Sequence, residues 1–243
     1  MTCADRVAIV TGAAGKGMGR SIALTLAREG AKVVVNYRTS REMAADVVAT
    51  IVDRGGEAVA AQTDIFEADG CRSLAEAAVE HFGQVDICVI GPGADWHPEP
   101  PDKLDVAGAL ADAHQELAPL FYLMPLVLPG MYKRRWGRLV GLCLHPTKLP
   151  PAYAYNAAKA ARTTAFMRAV DEAWQKGVTV NVVSPGPITH IETLKEAVEQ
   201  CDHGPAWQKR KTTSPQDVAE GVAFLCSDAA RFVSGCEMPL LFH

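Results

Sequence analysis

Short runs in which almost every residue is apolar alternate along this chain with longer stretches that are apolar only at every third or fourth position. The short runs are Val7–Val10, Lys32–Asn36, Glu57–Gln62, Val85–Ile90, Gly137–Leu144 and Val178–Val183. Apolar residues without alternation, rich in Val and Ile, suit strands buried on both faces. The first helical stretch carries Met18, Ile22, Ala23, Leu26 and Ala27 on one face, and Gly30 supplies the stop after Glu29. Further helices are expected from Arg41 to about Arg54 with Ser40 as N-cap, over Ala68–Phe82 ended by Gly83, over about Asp105–Lys133, and over Ala152–Lys176. A last helix starts at Ser214-Pro215, the serine capping and the proline at the first position, and runs to about Ser227. Pro119, Pro125 and Pro129 each remove a helix hydrogen bond, so the Asp105–Lys133 element is expected to be kinked or divided. Asp95–Pro101 reads as a loop, Pro187–Lys211 as an irregular segment with short helical potential, and Glu237–Phe242 as a last strand. Strand and helix alternating at this spacing predict right-handed βαβ units: an α/β, doubly wound parallel sheet of about seven strands with helices on both faces. No repeat, low-complexity segment or linker interrupts it, so residues 1–243 are expected to form a single domain.

Gly12, Gly15, Gly17 and Gly19 fill the turn between the first strand and the first helix. A glycine-rich strand–helix turn aims backbone N–H groups and a helix N-terminus at a phosphate, and a side chain there would hold a pyrophosphate away. Later in the chain Tyr155 and Lys159 stand at i and i+4, on one helical face. A nearby ammonium favours the phenolate, which would bring the acid–base range of the tyrosine below its ordinary value of about 10.

Composition narrows the classes. The chain of 243 residues is 49% hydrophobic and 21% charged, as expected of a soluble globular protein with a sizeable core. A formal net charge of −4 gives no electrostatic reason to expect nucleic acid or an anionic membrane as partner. No apolar run approaches the ~20 residues of a membrane span. The first ten residues lack a signal-peptide pattern, so a cytoplasmic location is the default expectation. The seven cysteines are scattered without a C-x-x-C pair and the seven histidines without a ligand cluster, so neither a disulfide framework nor a metal site is expected.

Thr11-Gly12-Ala13-Ala14-Gly15-Lys16-Gly17-Met18-Gly19, the Tyr155-x-x-x-Lys159 pair and Pro185-Gly186 after the sixth strand together resemble the short-chain dehydrogenase/reductase family over nearly the whole chain. The glycine motif is one residue longer than the family's Thr-Gly-x-x-x-Gly-x-Gly. The resemblance implies a Rossmann-type dinucleotide-binding domain with a substrate loop at about 187–211. It implies that Tyr155 exchanges the proton at the substrate oxygen and that Lys159 contacts the nicotinamide ribose and lowers the Tyr155 pKa. Gly12, Lys16, Gly17, Met18, Gly19 and Gly91 would lie along the cofactor. Asp64 and Ile65 would sit at the adenine, Pro185, Gly186 and Ile188 at the nicotinamide, and Thr189 at the carboxamide or a phosphate. The second strand ends without a carboxylate, in Asn36-Tyr37-Arg38, and Lys16 stands in the glycine turn. Two cations and no acid suit a 2′-phosphate, so NADP(H) is expected over NAD(H).

Three departures fall near the chemistry. The family's catalytic Ser position holds Leu144, preceded by Cys143, and His145 or Thr147 is then a candidate replacement donor. The family's Asn on the long helix is Glu116, which can either hold a water for the proton relay or pair directly with Lys159. The Asn-Asn-Ala-Gly turn after the fourth strand is Ile90-Gly91-Pro92-Gly93. Three readings follow: an NADP(H)-linked oxidoreductase acting on a small carbonyl or alcohol, a catalytically silent subunit of a mixed oligomer with an active relative, and a redox-neutral dehydratase or isomerase using Tyr155. Trp96, Trp207 and His190 are candidates to line the substrate pocket. The resemblance also implies a homotetramer or dimer on the two long helices, with a related chain as the alternative partner. Ala157, Ala158, Ala160, Ala161 and Ala165 would permit close helix approach there.

Overall fold

In a computed structural model of the chain, residues 1–144, 152–206 and 212–240 are described. The strands are β1 (Val7–Val10), β2 (Lys32–Tyr37), β3 (Ala58–Gln62), β4 (Ile87–Ile90), β5 (Gly137–Leu142), β6 (Val178–Pro185) and β7 (Glu237–Leu240). The helices are α1 (Met18–Arg28), α2 (Arg41–Asp53), α3 (Ala68–Phe82), α4 (Val106–Arg134), α5 (Tyr153–Arg168), α6 (Val170–Gln175), α7 (Leu194–His203) and α8 (Pro215–Cys226). The seven strands form one sheet in the order β3-β2-β1-β4-β5-β6-β7, and every pairing is parallel. The doubly wound α/β expectation holds.

The central strands are mostly apolar and buried because the two faces of the sheet bury different helices. Ala8, Val10, Val33, Val35, Val89 and Val140 pack with Ile22 and Leu26 of α1, Val47 and Ile51 of α2, and Val218 and Val222 of α8. The alternate residues Ile9, Val34, Cys88, Ile90, Leu139 and Val180 pack with Leu74 of α3, Leu120, Leu123, Val127 and Met131 of α4, and Phe166 of α5. Successive strands wind outward in opposite directions from the junction of β1 and β4, which opens a crevice beyond their carboxyl ends.

Several boundaries differ from the sequence expectation. α4 is one continuous 29-residue helix with Pro119, Pro125 and Pro129 inside it, not two pieces. Each proline costs about 3 kcal/mol in a helix interior. The Leu120, Leu123, Val127 and Met131 stripe offsets this, because each large apolar side chain contributes about 1.5–3 kcal/mol on full burial. The expected Ala152–Lys176 helix is divided at Ala169 into α5 and α6. β5 stops at Leu142 rather than 144, and β6 continues to Pro185. The short helical potential expected within Pro187–Lys211 is realised as the ten-residue α7. Ser214 caps α8 as expected, in a reciprocal box: its hydroxyl accepts from the Asp217 N–H while the Asp217 carboxylate accepts from the Ser214 N–H. Ser40 occupies the N-cap of α2 without a side-chain bond. Among the described residues no helix is long and apolar enough to cross a membrane.

Candidate active site

The crevice is built from the ends of β1, β2 and β4. Gly12 leaves β1 at φ +61°, and a Cβ there would fall 2.5 Å from Cγ of Pro92, so conformation and space both require glycine. The Asn36 side chain ties three strand ends together. Its Oδ1 accepts from the Gly12 N–H (3.1 Å), and its Nδ2 donates to Oγ1 of Thr63 (2.9 Å) and to the Thr63 carbonyl (3.2 Å). Thr11 does the same toward β4, accepting from the Gly91 N–H at 2.8 Å.

Gly17 is the N-cap of α1, and no side chain caps the free N–H groups of the helix. A Cβ on Gly15 or Gly17 would meet nothing within 4 Å. Packing within the protein therefore does not demand glycine at these two positions. Bare backbone over an uncapped helix N-terminus is a cradle for an anion, and the pyrophosphate of a dinucleotide fits it. The adjoining groove, about 380 Å³, is lined by Gly12, Asn36, Arg38, Asp64, Ile65 and Gly93 among others. Arg38 is 62% exposed there, 3.8 Å from the Asp64 carboxylate and with its guanidinium 5.8 Å from the Phe66 ring centre. Asp64 also accepts from the Phe66 N–H (3.0 Å), closing its own turn. Lys16 pairs with Glu192 (2.6 Å), and the Ile191 N–H donates to the Lys16 carbonyl, so the start of the 187–211 segment docks on the glycine turn.

Beyond the turn after β4, α5 carries the half-buried Tyr155 and, one turn on, the buried Lys159. The alternatives left open for Glu116 resolve to direct pairing. Its carboxylate, fully buried on α4, accepts from Nζ of Lys159 (2.9 Å), from Nη1 of Arg162 (3.0 Å) and from the Ala94 N–H (2.7 Å). Arg162, equally buried, also donates to the carbonyls of Ile90 (2.7 Å), Pro92 (2.8 Å) and Gly91 (3.3 Å). A Cβ on Gly93 would lie 2.2 Å from Glu116, so the unusual turn after β4 and the unusual acid on α4 belong to one arrangement. Burial and the Arg162 charge hold the Lys159 pKa below its ordinary value against the pull of Glu116.

The expected lowering of the Tyr155 pKa does not occur. Burial first, then the Glu116 charge, push the phenol up to about 12. The Lys159 ammonium is committed to Glu116, with Nζ 5.4 Å from the Tyr155 ring centre. At neutral pH Tyr155 is a neutral phenol, able to donate a proton.

The remaining candidates lie as follows. Gly91 sits beside Thr11 across the β1–β4 junction, while Met18 and Gly19 open α1. The Gly19 position leaves no room for a Cβ, which would come 2.3 Å from the Gly12 carbonyl oxygen. Ile65 is buried in the core beneath the groove. Pro185 ends β6, Gly186 donates to the Leu240 carbonyl (3.0 Å), and Ile188 bridges Thr213. Trp96 is half exposed, and Thr189 and His190 are exposed. Cys143 is buried at the end of β5, where its N–H donates to Val183, and Leu144 follows it. His145, Thr147 and Trp207 lie outside the described residues. Among the described residues no group of three or more His, Cys, Asp or Glu is placed to hold a metal. Arg162 was missed from the sequence. Its signal is a charge three residues after Lys159 on the buried helix face, matched by an acid within the apolar stretch of α4.

Comparison with known proteins gives a consistent outcome. A family model described as enoyl-(acyl carrier protein) reductase matches residues 12–240. The chain is 33% identical to versicolorin reductase of Emericella nidulans, covering 95% of this chain and 92% of that protein. It is 32% identical to 3-oxoacyl-[acyl-carrier-protein] reductase of Synechocystis, covering 95% and 93%. A solved 7α-hydroxysteroid dehydrogenase, complexed with NADH and 7-oxo glycochenodeoxycholic acid, superposes with a TM-score of 0.85 at 30% identity, covering 99% of this chain and 94% of that one.

Proposed function

The chain belongs to the short-chain dehydrogenase/reductase family of oxidoreductases, and from that premise we propose that it is an NADP(H)-dependent carbonyl reductase with Tyr155 as proton donor. The observation that supports the reading is the bare, uncapped glycine turn, whose Gly12 abuts Pro92, the residue whose carbonyl is held by Arg162 on α5, the helix that also carries Tyr155. Gly12, Gly17, Met18 and Gly19 would hold the pyrophosphate, Asp64 and Ile65 the adenine side, and Lys159, Gly91, Pro185, Gly186 and Ile188 the nicotinamide side. A reduced nicotinamide bound there supplies a hydride to a carbonyl carbon. Tyr155 gives its proton to the carbonyl oxygen, the new alcohol O–H forming as the phenolic O–H breaks. The phenol is half-buried, so the phenolate is reprotonated from water at the mouth of the cleft.

Arg38, exposed at the groove, and Lys16, with an exposed partner it can exchange, favour a 2′-phosphate. A donor in place of Leu144 would come from His145 or Thr147. The relatives' names make a 7-oxo steroid and a 3-oxoacyl thioester sensible first substrates. A small-molecule substrate, a cytoplasmic location and one domain complete the reading, with self-association through α4 and α5, where Leu110 and Phe121 are exposed.

Titration with NADPH and with NADH, followed by nucleotide fluorescence, tests it. Tight NADPH binding, at least about tenfold weakened by Arg38→Ala while NADH is little changed, is expected from loss of a charge-assisted bond. Oxidation of NADPH by one of the ketones completes the case. Leu144 and the Glu116-bound Lys159 support a second reading, a catalytically silent subunit. Tight binding without turnover of any ketone would favour it, and no binding of either nucleotide would sink the reductase reading.

A further inference from the structure

We propose that Glu116 and Arg162 are a pair of positioning residues that keep Tyr155 a proton donor: Glu116 draws the Lys159 ammonium off the phenol, and Arg162 anchors both Glu116 and the turn after β4. The inference rests on the reductase reading for its catalytic meaning, although its test needs neither cofactor nor substrate.

Glu116 receives three donors from three elements, Lys159 and Arg162 on α5 and the backbone of Ala94 after β4. Its carboxylate pairs with both buried cations, which stand one turn apart, so Lys159 cannot leave it without exposing a buried charge. Arg162 supplies the compensating cation and at the same time gathers the carbonyls of Ile90, Gly91 and Pro92. Glycine at 93 leaves room for the carboxylate. Among the described residues, the charged and titratable groups facing Tyr155 and Lys159 are Glu116 and Asp112 on α4, Asp95 in the loop after β4, Arg162 on α5 and the Cys143 thiol after β5. Three of the five are acids, and the nearest ammonium is already spoken for. A phenol in that setting resists ionisation. It gives up a proton to a developing alkoxide but does not stand ready as the phenolate that alcohol oxidation requires.

The experiment is a tyrosinate absorbance titration of cofactor-free protein, in which each variant is compared with the same variant carrying Tyr155→Phe to isolate Tyr155. In the unaltered protein Tyr155 is expected to remain un-ionised to the alkaline limit of stability. In Glu116→Gln its titration is expected to move down by about one pH unit or more, as an adjacent negative charge is removed. That variant leaves two buried cations without a carboxylate. The double variant Glu116→Gln/Arg162→Met, which removes one charge of each sign, is therefore measured beside it, with circular dichroism to verify folding. Freed from Glu116, Lys159 should lower the Tyr155 midpoint in the double variant too, and adding Lys159→Met should reverse that. A merely structural pair would change thermal stability and leave the titration where it was. An unchanged midpoint in a folded double variant overturns the proposal. A shifted midpoint in a protein that reduces no ketone leaves the inference standing and counts against the reductase reading alone.

Discussion

At the scale of single residues, the site is held by contacts between side chains far apart in sequence. Glu116 and Arg162 are 46 residues apart and meet only because α4 packs against α5. Gly93 is fixed by the same meeting, since any Cβ there enters the Glu116 carboxylate. Gly93→Ala should therefore cost about 1–3 kcal/mol of stability, the usual range for overpacking. In the Glu116→Ser/Arg162→Met background the same alanine should cost clearly less, because the atoms it strikes are gone. Denaturant melts of the four proteins provide the cycle. Equal costs in both backgrounds would show that the glycine serves the backbone alone. This also explains which parts of the site were legible. Tyr155 and Lys159 are one helical turn apart, so spacing alone puts them on one face, and the glycine turn is contiguous. The direct pairing of Glu116 with Lys159 was legible only as one of two alternatives, because packing decides which of them forms.

At the scale of elements, the strands and most helices were readable because a parallel sheet buried on both faces leaves contiguous apolar runs. In α4 a local rule meets a tertiary one, and of the two expectations, kinked or divided, the continuous helix excludes the division. Three prolines argue for a broken helix, while four buried side chains spaced along one face hold it whole. The flank of α4 beside that stripe remains apolar at Leu110 and Phe121, 68% and 56% exposed, and Ala157, Ala160 and Ala161 of α5 are exposed as well. Large apolar groups on a helix beside small residues on its neighbour suit close approach of a second copy. Phe121→Glu should therefore convert a dimer or tetramer into a smaller species in gel filtration with its circular dichroism intact. A protein that elutes as a monomer before the change would remove this interface from the reading.

At the scale of the whole molecule, the crevice draws on both halves of the sheet. Asn36, Thr63 and Gly12 fix the side toward β3, while Arg162, Glu116 and the turn after β4 fix the side toward β5. A dinucleotide lying across β1 and β4 touches groups that come together only in the folded chain, so its binding energy adds to folding stability. At a free concentration of 100 times Kd that gain is about 2.7 kcal/mol, which in a chain of this size raises Tm by about 5–10 °C. NADPH at a given concentration should give a larger rise than NADH, and Arg38→Ala should remove most of the difference. The rise should survive in Glu116→Gln/Arg162→Met, reduced only as far as the turn after β4 loosens, because that pair acts on Tyr155 and Lys159 rather than on the phosphate cradle. Thermal melts with each nucleotide separate the two halves of the crevice. A rise lost with Arg38 assigns recognition to the end of β2, whereas a rise lost with the Glu116–Arg162 pair would assign it to the turn after β4 and make the glycine turn a bystander.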